Sequence, residues 1–225
     1  MKLLKSKSIS PFGGLNFVLE ELKRLKIDQL INNELPTLAK QSKYDWKDII
    51  FNLWSVFLCG GDCAEDLGFN LKNYLLDQPF FKVSSPDRVL NRIKELSEKA
   101  SYFQPKRSNK SHHFSINDQL SSLNICLLQK LGVLNTSEEL TLDYDNTVCP
   151  TQKQDATNSY LKIKAYQPGV AFIGSNVVYV ENRNGNSGAQ VLQQDTLERA
   201  FSHLKKQNIS VTRFRADSAS FQLTT

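Results

Sequence analysis

A chain of 225 residues, 40% apolar and 23% charged, has the make-up of a protein that buries a real core, which excludes a disordered or low-complexity polymer. Its net charge of +5 and pI near 8.9 suit nucleic acid as a partner without demanding it. Four cysteines, Cys59, Cys63, Cys126 and Cys149, form no C-x-x-C pair, and the three histidines stand at no ligand spacing around them, so free thiols in a reducing compartment are expected rather than a zinc site.

The opening "MKLLKSKSIS" has lysines but no apolar run behind them, which predicts no secretory signal. "GLNFVLEELKRLKIDQLI" then places Leu15, Val18, Leu19, Leu22, Leu25 and Leu30 on roughly one face of a helix that Pro36 ends. "YDWKDIIFNLWSVFLCGG" predicts a second helix, with Ile49, Ile50, Leu53, Trp54, Phe57 and Leu58 as its apolar stripe and Gly60-Gly61 as its stop. Its spacing makes Trp46 and Trp54 core residues. The run is too short and too interrupted to span a bilayer, so a cytoplasmic protein is expected. Residues 62–76 predict another short helix. "SSPDRVLNRIKELSEK" predicts a further one, with a Ser cap and a Pro in the first turn. "YFQPKRSNKSHHFS" reads as a basic loop or linker, with His112-His113 as an exposed pair, and "INDQLSSLNICLLQKLG" as a helix stopping at Gly132.

The character changes near residue 138. "ELTLDYDNT" alternates as a strand. "VAFIGSNVVYVENRNG" gives two strands around a Gly-Ser-Asn turn, "NSGAQVLQQDTLERAFSHLKKQ" a helix over 187–207, and "ISVTRFRAD" a last strand. The expected class is α+β: a helical region over 1–137, then an incomplete ribonuclease-H-like α/β core over 138–225 built as strand, hairpin, helix, strand.

Two chemistries fit the aspartates of "LTLDYDNTV". One is a haloacid-dehalogenase-like phosphatase, with Asp143 as nucleophile, Asp145 as acid/base and Mg²⁺ between carboxylate and phosphate. That fold needs strand–helix alternation after the motif, whereas Pro150, a polar stretch and a hairpin follow here. The other is two-metal phosphoryl transfer, in which Asp145 closes a first strand and Asp217 closes a later one beside it, so that the two share a divalent metal.

In order, "LDYDNTV", "YLKIKAYQPGVAFIG", "ENRNGNS" and "RFRADSASF" resemble the landmarks of bacterial insertion-sequence DDE transposases, above all insertion-sequence family 1380. "FLCGGDCAEDL" is similar to a Gly-Gly and acidic-Leu element of the family's helical part, and Ala165 stands where the family has Gly. The resemblance implies Asp145 and Asp217 as catalytic Mg²⁺ or Mn²⁺ ligands, with Asp143 either tuning them or facing solvent. It implies that Arg183 and Asn186 touch DNA or order their loop. Double-stranded DNA, the terminal inverted repeats, is the implied partner, together with a homo-oligomer or a full-length transposase. The family's downstream catalytic Glu has no counterpart here, so the resemblance implies a truncated enzyme, inactive alone, or a non-catalytic DNA-binding remnant that inhibits the intact one.

The basic excess supports the DNA expectation locally. Met1–Glu138 carries 19 Lys+Arg against 15 Asp+Glu, and the remainder 9 against 8. The candidate phosphate contacts are Arg88, Arg92, Lys94, Lys106, Arg107 and Lys110; an ordinary solvated face is the alternative.

Overall fold

The computed structural model describes residues 10–97, 101–104, 110–134 and 139–220. Among these the protein is a mixed α+β molecule with seven α-helices, a six-stranded mixed sheet and a small three-stranded sheet. It divides into two compact units, Met1–Glu95 and Leu96–Thr225. All four cysteines are free thiols, and no helix among the described residues is long and apolar enough to cross a membrane.

The first unit holds helices α1 (Gly14–Arg24), α2 (Ile27–Glu34), α3 (Trp46–Leu58), α4 (Lys72–Leu75) and α5 (Pro86–Lys94), with one π-helical turn over Leu67–Leu71. The single helix expected across 15–31 is broken at Lys26, which takes a left-handed conformation at φ 56°. The apolar pattern explains the break. Leu15, Leu19 and Leu22 are buried, so a straight continuation would drive Lys26 inward. The turn shifts the phase by one residue and buries Ile27 and Ile31 completely instead.

Helix α3 starts with a capping box between Asp45 and Asp48. Asp48 and Asn52, both buried, then tie in the segment before α5. Asp48 accepts the Lys82 N–H at 2.9 Å; Asn52 donates to the Lys82 carbonyl at 2.8 Å and accepts the Ser84 N–H at 3.2 Å. Ser85 caps α5, as its sequence predicts, by accepting the Arg88 N–H at 3.3 Å. Trp46 is core, 3% exposed, while Trp54 is half-buried.

The second unit begins earlier than the 137/138 boundary that the sequence suggests. Strands β1 (Ser101–Phe103) and β2 (His112–Ser115) lie in the stretch expected to be loop, and α6 (Asp118–Lys130) follows. β2 pairs with β8 (Asn176–Arg183), and His112 is buried with its Nδ1 3.1 Å from Ser187 Oγ. Short polar strands have no alternation to announce them; the neighbouring strand supplies their hydrogen bonds. α6 contributes Leu123 and Ile125 to burial, and Ile125 joins the cluster formed by the sheet, so this helix belongs here.

The remaining elements are β3 (Leu140–Asn146), β4 (Cys149–Pro150), β5 (Thr157–Asn158), β6 (Lys164–Tyr166), β7 (Gly169–Ile173), α7 (Gln193–Lys206) and β9 (Val211–Ala216). The large sheet runs in the order β1-β2-β8-β7-β3-β9, and the small one β4-β6-β5. β3, β7 and β8 are antiparallel neighbours; β9 lies parallel to β3 on its other side. A two-residue turn joins β7 to β8, with Gly174 at φ 60° where a side chain is unwelcome. Leu140, Leu142 and Tyr144 share one face of β3 and cluster with Ala200 and Leu204 of α7. Thr141, Asp143 and Asp145 take the other face.

Helix α7 starts at Gln193, six residues later than its sequence suggests. The carbonyls of Gly188, Ala189 and Val191 bond the Arg183 guanidinium, and the Gly188 carbonyl also accepts the Val191 N–H in a tight turn. Residues 187–192 therefore stay as loop.

Candidate metal and nucleic-acid site

Tyr144 of β3 stands level with Ala216 of β9. One residue further along these parallel strands come Asp145 and Asp217, and both line one cavity of about 450 Å³. Tyr160, Gln167 and the 188–191 loop complete its wall. Both carboxylates are exposed. Asp145 Oδ1 accepts the Asn146 N–H at 2.7 Å, and Asp217 Oδ1 accepts the Ser220 hydroxyl at 3.2 Å. Neither meets a cationic side chain among the described residues.

Asp143 differs from Asp145 although both point the same way. Arg215 donates Nε and a terminal N–H to its two oxygens at 2.6 and 2.7 Å, a bidentate pair across the β3–β9 ladder. The Arg215 guanidinium holds the Asp143 carboxyl below the ordinary aspartate range. Its charge is already compensated, which leaves Asp145 and Asp217 as the uncompensated pair.

The cavity wall is set from beneath by a buried ionic knot. Glu181, fully buried, accepts from Thr196 at 2.8 Å, from the Arg199 Nε and Nη2 at 2.9 and 2.6 Å, and from Tyr179 at 3.3 Å. Burial, with Glu181 adding to it, pushes the Tyr179 hydroxyl well above its usual range. Arg183, 1% exposed, stacks its guanidinium on Phe114 at 4.8 Å and holds the 188–191 carbonyls. Of the two roles open to it, ordering the loop is the one this geometry serves, because a side chain so deeply buried does not reach DNA. Asn186 is likewise occupied. It accepts from the Thr157 hydroxyl at 3.1 Å and donates to the Ser111 carbonyl at 3.0 Å.

The same "RNGNS" turn clamps the β5–β6 hairpin. Asn184 bridges Tyr166, and a Cβ on Gly185 would lie 2.5 and 2.6 Å from the carbonyl oxygens of Thr157 and Ala165, so only glycine lets the chains approach. Tyr166 donates to Asp155 at 2.7 Å; burial and this acceptor push the phenol up to about 12.

The basic residues fare unequally. Arg88 and Lys94 are exposed on α5. Arg92 is committed inside its unit, 5.9 Å above the Trp46 ring and 2.6 Å from Glu95. Lys110, in the other unit, is exposed, while Lys106 and Arg107 lie outside the described residues. A second cavity of about 390 Å³, in the first unit between Phe12, Leu15, Tyr74 and Phe80, is also lined by two carboxylates, Glu20 and Asp77, but these do not close adjacent parallel strands.

Comparisons with family models, with curated proteins and with solved structures each return no match. The site is therefore judged on its own chemistry. Two exposed carboxylates without a counter-cation, converging on one cavity, form an oxygen-donor set that fits a hard divalent ion such as Mg²⁺ or Mn²⁺. Among the described residues no group of three or more His, Cys, Asp or Glu side chains stands together, and the cavity offers two carboxylates.

Tyr160, Gln167 and the 188–191 loop were not legible as site residues. Tyr160 sits in a polar stretch with no periodicity, and Gln167 is 5% exposed beside an unremarkable Pro. The available signal was the turn-rich "ENRNGNS", whose glycine and asparagines bring separate loops together.

Proposed function

We propose that the chain carries the first part of a ribonuclease-H-like core of an insertion-sequence DDE transposase. Asp145 and Asp217 bind a divalent metal, and the partner is the double-stranded DNA of transposon ends. The observation that carries this reading is the meeting of Asp145 and Asp217 in one cavity at the ends of adjacent parallel strands. Supporting it, the first Asp strand is followed by an antiparallel hairpin and a helix, and the strand order β8-β7-β3-β9 sets the second Asp strand against the first.

A bound divalent ion supplies charge neutralisation and activation of oxygen for in-line attack at a phosphodiester. The chain's own residues do the rest. Asp145 and Asp217 present the oxygen ligands, the Asp143–Arg215 pair staples their strands together, and Arg183 shapes the loop that faces them. Because only two carboxylates converge among the described residues, we assign metal capture and end binding to this polypeptide, and turnover only where a further carboxylate is supplied. In that state it would occupy transposon ends or pair with an intact transposase. A phosphatase of the haloacid-dehalogenase type is disfavoured, since β3 has an antiparallel neighbour in β7 and its would-be nucleophile Asp143 is held by Arg215.

Mn²⁺ titration followed by electron paramagnetic resonance tests the reading. One site is expected in the intact chain and none in Asp145→Asn or Asp217→Asn, while Asp143→Asn keeps it. Binding unaffected by either of the first two changes would overturn the assignment, and phosphomonoester hydrolysis requiring Asp143 would replace it with the phosphatase.

A further inference from the structure

The tip of the β5–β6 hairpin exposes apolar side chains that packing does not explain. Tyr160 is 73% exposed, Leu161 52% and Ile163 41%. This tip is not loosely held. Ser159 N–H bonds the Ile163 carbonyl at 2.8 Å, Lys162 N–H bonds the Ser159 carbonyl at 2.9 Å, and Lys162 takes φ 61°. Below it, Gly185 and Asn186 fix the hairpin to the turn that follows β8, and the Tyr166–Asp155 bond closes the hairpin on itself. A rigid element that displays a flat aromatic ring forgoes the stability of burying it, which marks a contact surface.

Its position and charge narrow the contact. Tyr160 lines the same cavity as Asp145 and Asp217. Lys162, between the exposed apolar residues, and Lys153 are both exposed. An exposed aromatic ring at the edge of a cavity lined by two carboxylates, with Lys162 two residues along the same tip, suits an unpaired nucleotide: the ring can stack a base and the lysine can meet a phosphate.

We propose that Tyr160 is a stacking platform for an unpaired base of the DNA strand whose phosphate reaches Asp145 and Asp217. The ligand class is thus a duplex distorted next to the reacting phosphate, not an unperturbed one. This rests on the transposase reading and adds the state of the substrate to it.

The test uses the full chain and two labelled duplexes of one sequence, one fully paired and one with a single extrahelical 2-aminopurine. The extrahelical duplex is expected to bind at least about fivefold more tightly, the low end for one base–aromatic stack, with quenched 2-aminopurine emission. Tyr160→Ala removes the preference and the quenching while binding of the paired duplex persists, and Tyr160→Phe retains both. Equal binding of the two duplexes, untouched by Tyr160→Ala, overturns the stacking proposal and leaves the transposase reading standing. Binding of neither duplex overturns both. If Tyr160→Ala instead dissolves a dimer in sedimentation without changing the preference, the tip is a protein contact and the proposal falls.

Discussion

Both units are held by a buried polar knot, and the two knots are made of different chemistry. In the first unit Asp48 and Asn52 on one helix bond backbone groups of Lys82 and Ser84. One carboxylate and one amide suffice, because the task is to pin a passing segment. In the second unit Glu181, Arg183 and Arg199 are charged, and Glu181 and Arg183 are fully buried. That knot costs more desolvation, and within it Arg183 Nε stands 3.9 Å from Glu181 without a hydrogen-bond partner, so its charges rely on proximity as well as on hydrogen bonds. What it holds is the loop facing Asp145 and Asp217, so the more demanding chemistry sits under the candidate site and the cheaper one under plain packing.

The sharpest way to break this comparison is Glu181→Ala. It strands Arg183 and Arg199, and should cost about 3–5 kcal/mol in urea unfolding. Asn52→Ala leaves neutral backbone groups unpaired instead, with an expected cost of about 1–3 kcal/mol. Equal losses would show that the charged knot is no costlier to open than the neutral one.

Gly185→Ala probes how the site is assembled from the same turn. Overpacking against two carbonyls should cost about 1–3 kcal/mol. Hydrogen exchange should show the loss confined to residues 157–166, with β3, β7 and β8 still protected; a uniform loss across the large sheet would mean that the hairpin is not a separately clamped element.

The smallest effect is expected at the exposed Asp143–Arg215 pair. Its carboxyl pKa is depressed in the folded state by Arg215. Its contribution is therefore present above the ordinary aspartate range and is lost as pH falls through the depressed folded value. Thermal melts of the chain and of Arg215→Gln should differ slightly at neutral pH, converge in acid, and converge also in high salt, as for a solvated pair. A gap that widened in acid would contradict the pairing.

Much of this protein was readable along the chain. Apolar spacing announced α1, α3, α5 and α6, Ser85 announced its cap, and Gly174 announced the hairpin turn, because each depends on neighbours within a few residues. Alternation in "LTLDYDN" announced β3 and put Asp143 and Asp145 on one face. What stayed hidden depends on distant partners. β1 and β2 exist because β8 offers them an edge, and α6 joins the second unit because Ile125 finds Leu142 and Leu204 there.

By itself, then, the sequence determined most of the helices, the strands β3, β7, β8 and β9, and which residue types could do metal or phosphate chemistry. Local periodicity and backbone preference suffice for that. Only the tertiary structure decided between two aspartates spaced one residue apart. It gave Asp143 an arginine partner and left Asp145 bare beside Asp217, because charge compensation depends on what the neighbouring strand brings across and not on the motif itself. It also withdrew Arg183 from the surface and brought Tyr160 to the cavity, since burial and exposure are properties of the packed sheet and its loops.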